Sequence, residues 1–429
     1  MSNSQNKNAG IGCGLEGRYR VQVVNDKTNE VEKDYGWHKN LILNIGMNRI
    51  GVQQVALCDL SLYGIAGTGS RPNSITSSTS QASQSGTSIY LSNISGLPDF
   101  TSSYSSSVGT GSYTASVDVG DVIKFTDTTE SMVTAITDGY HVEVTPSYTS
   151  VSEQTFTIWK TSQVALQKEV KRSNDYLTGA GNCGTTLVGN VQTHRRTYDF
   201  TAETSASAVN YSEVGVSWAA TNYPTTNSVF SRVVLPETVS VAVDYKLRLT
   251  YDLQITWTPE SASYFTMSVS GWPVDAMATQ SIQTFLASTV DTTGAANAGT
   301  AVLDPSYDFR VSETYYQASM FASCNSAVLT AFNTATDRSS GSGYVNGAVE
   351  GNYVGNSFIR YKAGTLDLNS ANSKTLHSIG FGQRSSANGW FPYDVARQAF
   401  CVRFNDNQAK TNLQTLTLCW KWVWSRVLQ

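Results

Sequence analysis

The sequence predicts an all-β protein: antiparallel β-sandwich domains, one short N-terminal helix and an inserted small β-module. Three observations carry that prediction. In "YKLRLTYDLQITWT", Tyr245, Leu247, Leu249, Tyr251, Leu253, Ile255 and Trp257 take every odd position and polar residues every even one. That is the two-residue period of a half-buried strand. Charged residues make up only 14% of the 429 positions, against the usual quarter or so, and Ser, Thr, Asn and Gly take their place. Short alternating runs separated by turn clusters recur along the chain.

Taken in order, "GRYRVQVVNDKTNEVEKDYGW" predicts a hairpin. Tyr19, Val21 and Val23 alternate with Arg18, Arg20 and Gln22, and "NDKTN" supplies the turn. In "NLILNIGMNRIG" the residues Leu43, Met47 and Ile50 fall at helical spacing, which predicts the helix. Residues 72–115 are rich in Ser, Thr and Gly, a composition that fits either a flexible linker or a surface excursion leading into an inserted module. Organised sequence follows, which favours the excursion. Val117, Val119, Ile123 and Phe125 alternate, then Tyr140, Val142 and Val144, then Phe156 and Ile158, predicting a β-module at about 112–160. Next, "HRRTYDF" sets His194, Arg196, Tyr198 and Phe200 on one phase, and "SVFSRVVL" and "VSVAVDY" add strands. The expected organisation is residues 1–75 plus 161–260 as an N-terminal β-sandwich, 76–160 as the excursion and module, and 261–429 as a C-terminal sandwich-like domain. Within the last, "VSETYYQASMFASCNSAVLTAF" is open between a helix and irregular strands.

The segment "TLTLCWKWVWSRVLQ" places Leu416, Leu418, Trp420, Trp422 and Trp424 on one face of a long strand. Three coverings fit that face: the second sheet of a C-terminal sandwich, an interface with another subunit or a larger assembly, or a sugar stacked on the indoles. The expectation is that it seals the C-terminal domain.

Chemistry-bearing motifs are few. "GAGNCGTT" has the glycine spacing of a phosphate-cradling loop, but Thr185 stands where the lysine is needed. His38, His141, His194 and His377 are neither paired at helical spacing nor close to a cysteine, so no zinc site is predicted. No G-x-S-x-G marks a nucleophile elbow. Asp304 and Asp308 in "DPSYD" lack the glycine and closing glutamate of a calcium loop, and a turn is expected. Six scattered cysteines predict reduced thiols rather than a disulfide framework. A net charge of -4 offers no basic surface for nucleic acid. No apolar run approaches the roughly 18 residues of a membrane span, and the polar start predicts no secretory signal. The expectation is a protein that is not an enzyme and carries no cofactor.

Three segments together resemble the structural proteins of tailed-bacteriophage virions. They are "GWHKNLILNIGMNRIG" followed by "YGIAGTGSRP", then "FTIWKTSQVALQKEVKRSNDYLTGAGNCGTT", then "RRTYDF" through "NYSEVGVSWAA" and "SVFSRVVLPETVSVAVDYKLRLTYDLQITWTP". The resemblance covers residues 15–66 and 155–260 well and 360–429 loosely, where "LTLCWKWVWSR" is similar to the ending of such chains. It implies a structural component of the tail, neck or collar, fibre or capsid surface, present in several copies, and a homotrimer in the fibre case. Implied partners are copies of itself and other virion proteins, with a host glycan or receptor in the adhesin alternative and a polysaccharide-degrading spike as a third. The implied location is the virion, assembled in a bacterial cytoplasm.

Residue chemistry gives the signature its own reading. Gly215 allows a bend or a close approach by another chain, and Tyr211 and Trp218 anchor it. Phe230 fills a core. Glu213 and Arg232 form either an ordinary surface ion pair or an inter-subunit contact. The candidate interface is therefore Glu213, Gly215, Trp218, Arg232, Trp420, Trp422 and Trp424.

Overall fold

The computed structural model describes residues 9–51, 63–77, 81–93, 100, 104–105, 112–113, 117–179, 181–188, 191–219, 228–259, 263–266, 268–270, 279–286, 318–323, 344–345, 349–350, 353–366, 374–383, 398–410, 412–413 and 415–428. The fold is all-β, with several sheets and one short helix among the described residues. In chain order the first elements are β1 (Ala9–Asn25), β2 (Val31–Lys39), β3 (Leu41–Ile42), α1 (Asn44–Gly51), β4 (Tyr63–Gly67), β5 (Ser74–Thr76) and β6 (Gln81–Asn93). There follow β7 (Tyr104–Ser105), β8 (Ser112–Tyr113), β9 (Val122–Phe125), β10 (Glu130–Asp138), β11 (His141–Gln154) and β12 (Phe156–Trp159). Then come β13 (Glu169–Ser173), β14 (Cys183–Val188), β15 (Val191–Asp199), β16 (Val209–Ser217), β17 (Val229–Val241) and β18 (Tyr245–Pro259).

The long strands β1 and β18 pair antiparallel at the centre of a nine-stranded sheet, with β15 and β14 continuing beyond β18. Their register sets Tyr19 opposite Tyr251, Val21 opposite Leu249 and Val23 opposite Leu247. All six side chains are buried, so the alternation read from sequence is the inward face. The five-stranded sheet β13-β4-β16-β17-β3 meets that face. There the Tyr19 hydroxyl donates to the Ser231 carbonyl (3.0 Å), and the Tyr19 and Tyr251 rings lie 5.0 Å apart. A Cβ at Gly64 would come within 2.9 Å of the Tyr198 ring, so β4 can approach that tyrosine only without a side chain at this point. Each buried Tyr, Leu or Val here stabilises the two-sheet body by about 1.5–3 kcal/mol. The helix forms where its spacing predicts, with Leu43, Met47 and Ile50 all buried.

The inserted segment forms a six-stranded sheet, β5-β12-β9-β10-β11-β6. Its core is its own: Ile75, Ala82, Ile89, Phe125, Val133, Val144, Phe156 and Ile158 belong to one buried cluster drawn from the insert alone. The Ser/Thr-rich stretch contributes β5 and β6 to this unit, with Ile75, Ala82 and Ile89 buried in its core, while β7 and β8 pair as a separate two-stranded sheet. Thr and Ser are compatible with an extended, half-buried ribbon as long as every few residues an apolar side chain reaches the core. Two sequence expectations fail here. Val119 and Tyr140 are 57% and 49% exposed, because each sits in a turn between strands rather than in the alternating run.

Beyond Pro259 the strands Ser263–Thr266, Thr279–Leu286, Gln398–Lys410, Lys374–Gln383, Ala318–Ser323 and Tyr344–Val345 form a further sheet. The strand Thr415–Arg426 does not join it. It enters the nine-stranded sheet instead, pairing parallel with β1 from Ala9 opposite Trp420 to Leu15 opposite Arg426, and antiparallel with Ile359–Leu366 on its other side. The expectation that the tryptophan strand seals a separate C-terminal sandwich is thus corrected. Local alternation fixes which face is apolar but says nothing of which distant strand lies alongside.

Candidate functional site

The best-organised cluster of polar side chains in the described structure grows from β16 and β17. Their antiparallel register places Arg232 opposite Gly215 and Val234 opposite Glu213, so carboxylate and guanidinium lie diagonally on one face. Gly215 leaves space across from Arg232, and a Cβ there would meet the Ser231 carbonyl at 2.6 Å. The close approach expected at Gly215 is therefore made by a neighbouring strand of the same chain. Glu213 Oε2 accepts from Arg232 at 3.0 Å, and both side chains are wholly buried. The carboxylate also accepts from the backbone N–H groups of Gly69 (3.1 Å), Gln167 (3.1 Å) and Lys168 (2.8 Å). The guanidinium donates to the Arg71 carbonyl (2.9 Å) and to Gln163 Oε1. Gln167 Oε1 in turn takes the N–H groups of Ser70 and Arg71, both at 2.7 Å. A Cβ at Gly69 would sit 2.2 Å from Glu213 Oε1 and 2.5 Å from Gln167 Cβ, so the "GTG" turn is required by packing.

This corrects the surface ion pair expected at Glu213 and Arg232. The loops at 67–71 and 163–168 cover the outer side of β16, whose residues Tyr211 to Ser217 are all buried. A charge pair under two covering loops cannot be told from a surface pair by alternation, since the covering is non-local. The Tyr211 hydroxyl is buried and donates to Glu203 Oε1 at 2.5 Å. Trp218 is half-buried just past β16, with the Arg49 guanidinium 5.2 Å from its ring. Phe230 is in the core.

A second buried pair was not singled out in the sequence. Asp121 is fully buried and receives Lys160 Nζ, the Ser162 hydroxyl (2.7 Å) and the Asp118 N–H (2.8 Å). Lys160 also reaches the half-exposed Asp118 at 2.8 Å. Burial pushes the Asp121 carboxyl above the usual range, with Lys160 pulling against it. The pair stands where the inserted unit joins the body, since Thr161 Oγ1 bonds the Gly120 carbonyl (2.7 Å) and the Asn44 N–H bonds the Thr161 carbonyl (2.9 Å).

The outward face of the nine-stranded sheet holds a third cluster. Arg18, Asp252 and Arg195 stand in one cross-strand row on β1, β18 and β15. Arg195 grips Asp252 through two bonds of 2.7 Å and Arg18 through one of 3.2 Å. Both guanidiniums lie 5.2 Å from the ring of Trp37, which remains 39% exposed. By sequence alone Trp37 is only the end of a return strand.

Of the three tryptophans, Trp424 is buried within this chain. Its indole N–H donates to the Met47 carbonyl (3.1 Å), and Tyr353 stacks on it at 5.7 Å. The side chains of Trp420 and Trp422 lie outside the described residues. His194 is buried in the body, where desolvation lowers its pKa to about 3. Among the described residues no group of His, Cys, Asp and Glu is placed to hold a metal ion, and no helix is long and apolar enough to cross a membrane. Asp304, Asp308 and Thr185's loop partner Ala180 lie wholly or partly outside what is described, as does the side chain of His377. Comparison with family models, with curated proteins and with solved structures returns no match.

Proposed function

We propose that this chain is a non-enzymatic structural component of a tailed-phage virion, assembled in several copies on the tail, neck or capsid surface. One observation carries the reading. The three segments that resemble phage structural proteins are separated by up to about a hundred residues, yet a single carboxylate ties them together. Glu213 belongs to the third segment, Gly69 to the "GTG" turn of the first, and Gln167 and Lys168 to the second. The signature residues are thereby accounted for as architecture, which fits a protein that works by holding a shape. The antiparallel sandwich expected for such a domain is compatible with the contacts between the nine- and five-stranded sheets. Its copies would associate with rotational symmetry and dock on other virion proteins. Labelling the protein and imaging purified particles tests this: density at repeated, symmetry-related positions is expected, and particles without it would overturn the proposal.

The adhesin alternative has one specific observation in its favour, the exposed indole of Trp37 on a polar sheet face. Aromatic rings in such a setting suit the apolar face of a sugar. Purified protein incubated with host cells and with envelope polysaccharide decides between the two. Binding that falls at least about tenfold in Trp37→Ala, equivalent to 1.4 kcal/mol, supports adhesion; cleavage of the polymer would support a spike.

A further inference from the structure

We propose that residues 424–428 are a latch that holds the inserted six-stranded unit on the two-sheet body, so that loosening them frees the unit while both parts stay folded. The inference rests on contacts alone and is independent of the function proposed above.

Five consecutive residues touch every part that must be held. Trp424 is 1% exposed, bonded to the Met47 carbonyl of α1 and, through its backbone N–H, to the Phe358 carbonyl (3.0 Å). Arg426 donates to the Ile42 carbonyl (2.8 Å) and to Asn44 Oδ1, and its guanidinium lies over the Phe358 ring. The Val427 N–H bonds the Leu15 carbonyl of β1 (2.9 Å). Leu428 is buried in a cluster that mixes Leu41, Leu43, Ile65 and Val229 of the body with Val122 of the unit. Its carbonyl accepts Lys124 Nζ of the unit at 3.0 Å.

The polar contacts form a chain across the seam. Arg426 binds Asn44 Oδ1, and the amide of the same Asn44 binds the Gly120 carbonyl at the root of the unit. The carboxylates that act on Arg426 are Glu130 and Asp121, both in the unit, and they offset the burial that lowers its pKa to about 9. Lys124 is shared between Leu428 and Glu130 (3.0 Å). The segment thus reinforces the direct seam bonds of Asn44 and Thr161, reaching the unit from the last strand of the body's sheet.

Separation without unfolding is possible because the unit has its own core. The cluster containing Ile123, Phe125, Val133, Val144 and Phe156 is drawn from residues 75–158 and includes none from the latch or the body. What opening would uncover is the shared patch of Val122, Met132, Trp159 and Leu428. Of these, Val122 and Leu428 are buried and Met132 and Trp159 partly buried while the latch is closed.

Hydrogen exchange read by mass spectrometry on the full chain tests this, comparing the native protein with Leu428→Ala and with the milder Lys124→Gln. The second removes only the Lys124 contacts to the Leu428 carbonyl and to part-exposed Glu130, and keeps the protein folded if the first does not. Seam amides at 41–47, 120–124 and 160–163 are expected to exchange at least about tenfold faster in either variant. Amides inside β10, β11 and β18 are expected to keep their native protection. Unchanged exchange at the seam would overturn the latch. So would parallel loss of protection in the interior strands, which would make unit and body one cooperative block.

Discussion

The body and the inserted unit each rest on a buried ion pair, and the two pairs are built differently. Glu213 and Arg232 lie in the body, where they also bond the backbone groups of Gly69, Gln167, Lys168 and Arg71 and the side chain of Gln163. Asp121 and Lys160 lie at the root of the unit, where Lys160 shares itself with a second carboxylate, Asp118, that is 52% exposed. A guanidinium offers a rigid fork of donors, so the body's pair fixes direction and joins several loops at once. An ammonium is a point charge that tolerates rearrangement. The difference teaches where this protein needs geometry and where it needs only attachment.

Breaking the body's pair should have the largest effect. Glu213→Gln leaves a buried guanidinium without its counter-charge and is expected to cost about 3–5 kcal/mol, measured by urea unfolding. Replacing both partners with apolar residues of similar size should recover part of that loss. If Glu213→Gln is as stable as the native protein, the pair is not the junction described here. Next comes Gly69→Ala, which drives a methyl into a carboxylate pinned by four donors. A loss of about 1–3 kcal/mol is expected, read from the same urea curves.

Acid should separate the two regions. His194 in the body is neutral when folded, with its pKa lowered from 6.5 to about 3, while an unfolded chain protonates it at the ordinary value. The unfolded state then binds the extra proton between those values, so this stabilisation is present above pH 6.5 and is lost as pH falls. The expected slope is about 1.4 kcal/mol per pH unit, and His194→Gln should flatten it in urea midpoints taken across that window. The smallest effect belongs to the exposed pair Lys27–Asp244, whose side chains are 74% and 58% exposed. Lys27→Ala should leave the urea midpoint unchanged within error; a clear shift would show that surface charge matters more here than burial implies.

Local periodicity made much of this fold legible. The inward faces of β1 and β18, the helix at 44–51 and the inward residues Ile123, Phe125, Val142, Val144, Phe156 and Ile158 of the unit follow from two- and 3.6-residue spacing, while the pairing of β1 with β18 does not. What escaped was decided by chain far away in sequence. Glu213 and Arg232 look like surface charges until the loops carrying Gly69 and Gln167 are laid over them. Val119 and Tyr140 match the alternation and yet fall in turns, because a turn interrupts the phase without changing residue type. Lys160 and Asp121 lie 39 positions apart, with nothing in either neighbourhood to mark them as partners. Trp37 gains its significance from Arg18 on the next strand and Arg195, three strands across the sheet.

The parallel pairing of Ala9–Leu15 with Trp420–Arg426 has a consequence for biosynthesis. A ribosome adding about 5–20 residues per second needs roughly 20–80 s after making the first of these strands to deliver the second. Throughout that interval one flank of a nascent sheet waits with unsatisfied amides and carbonyls, open to the wrong neighbour. Crowded expression at high temperature should therefore yield inclusion bodies more readily than slow, cool synthesis.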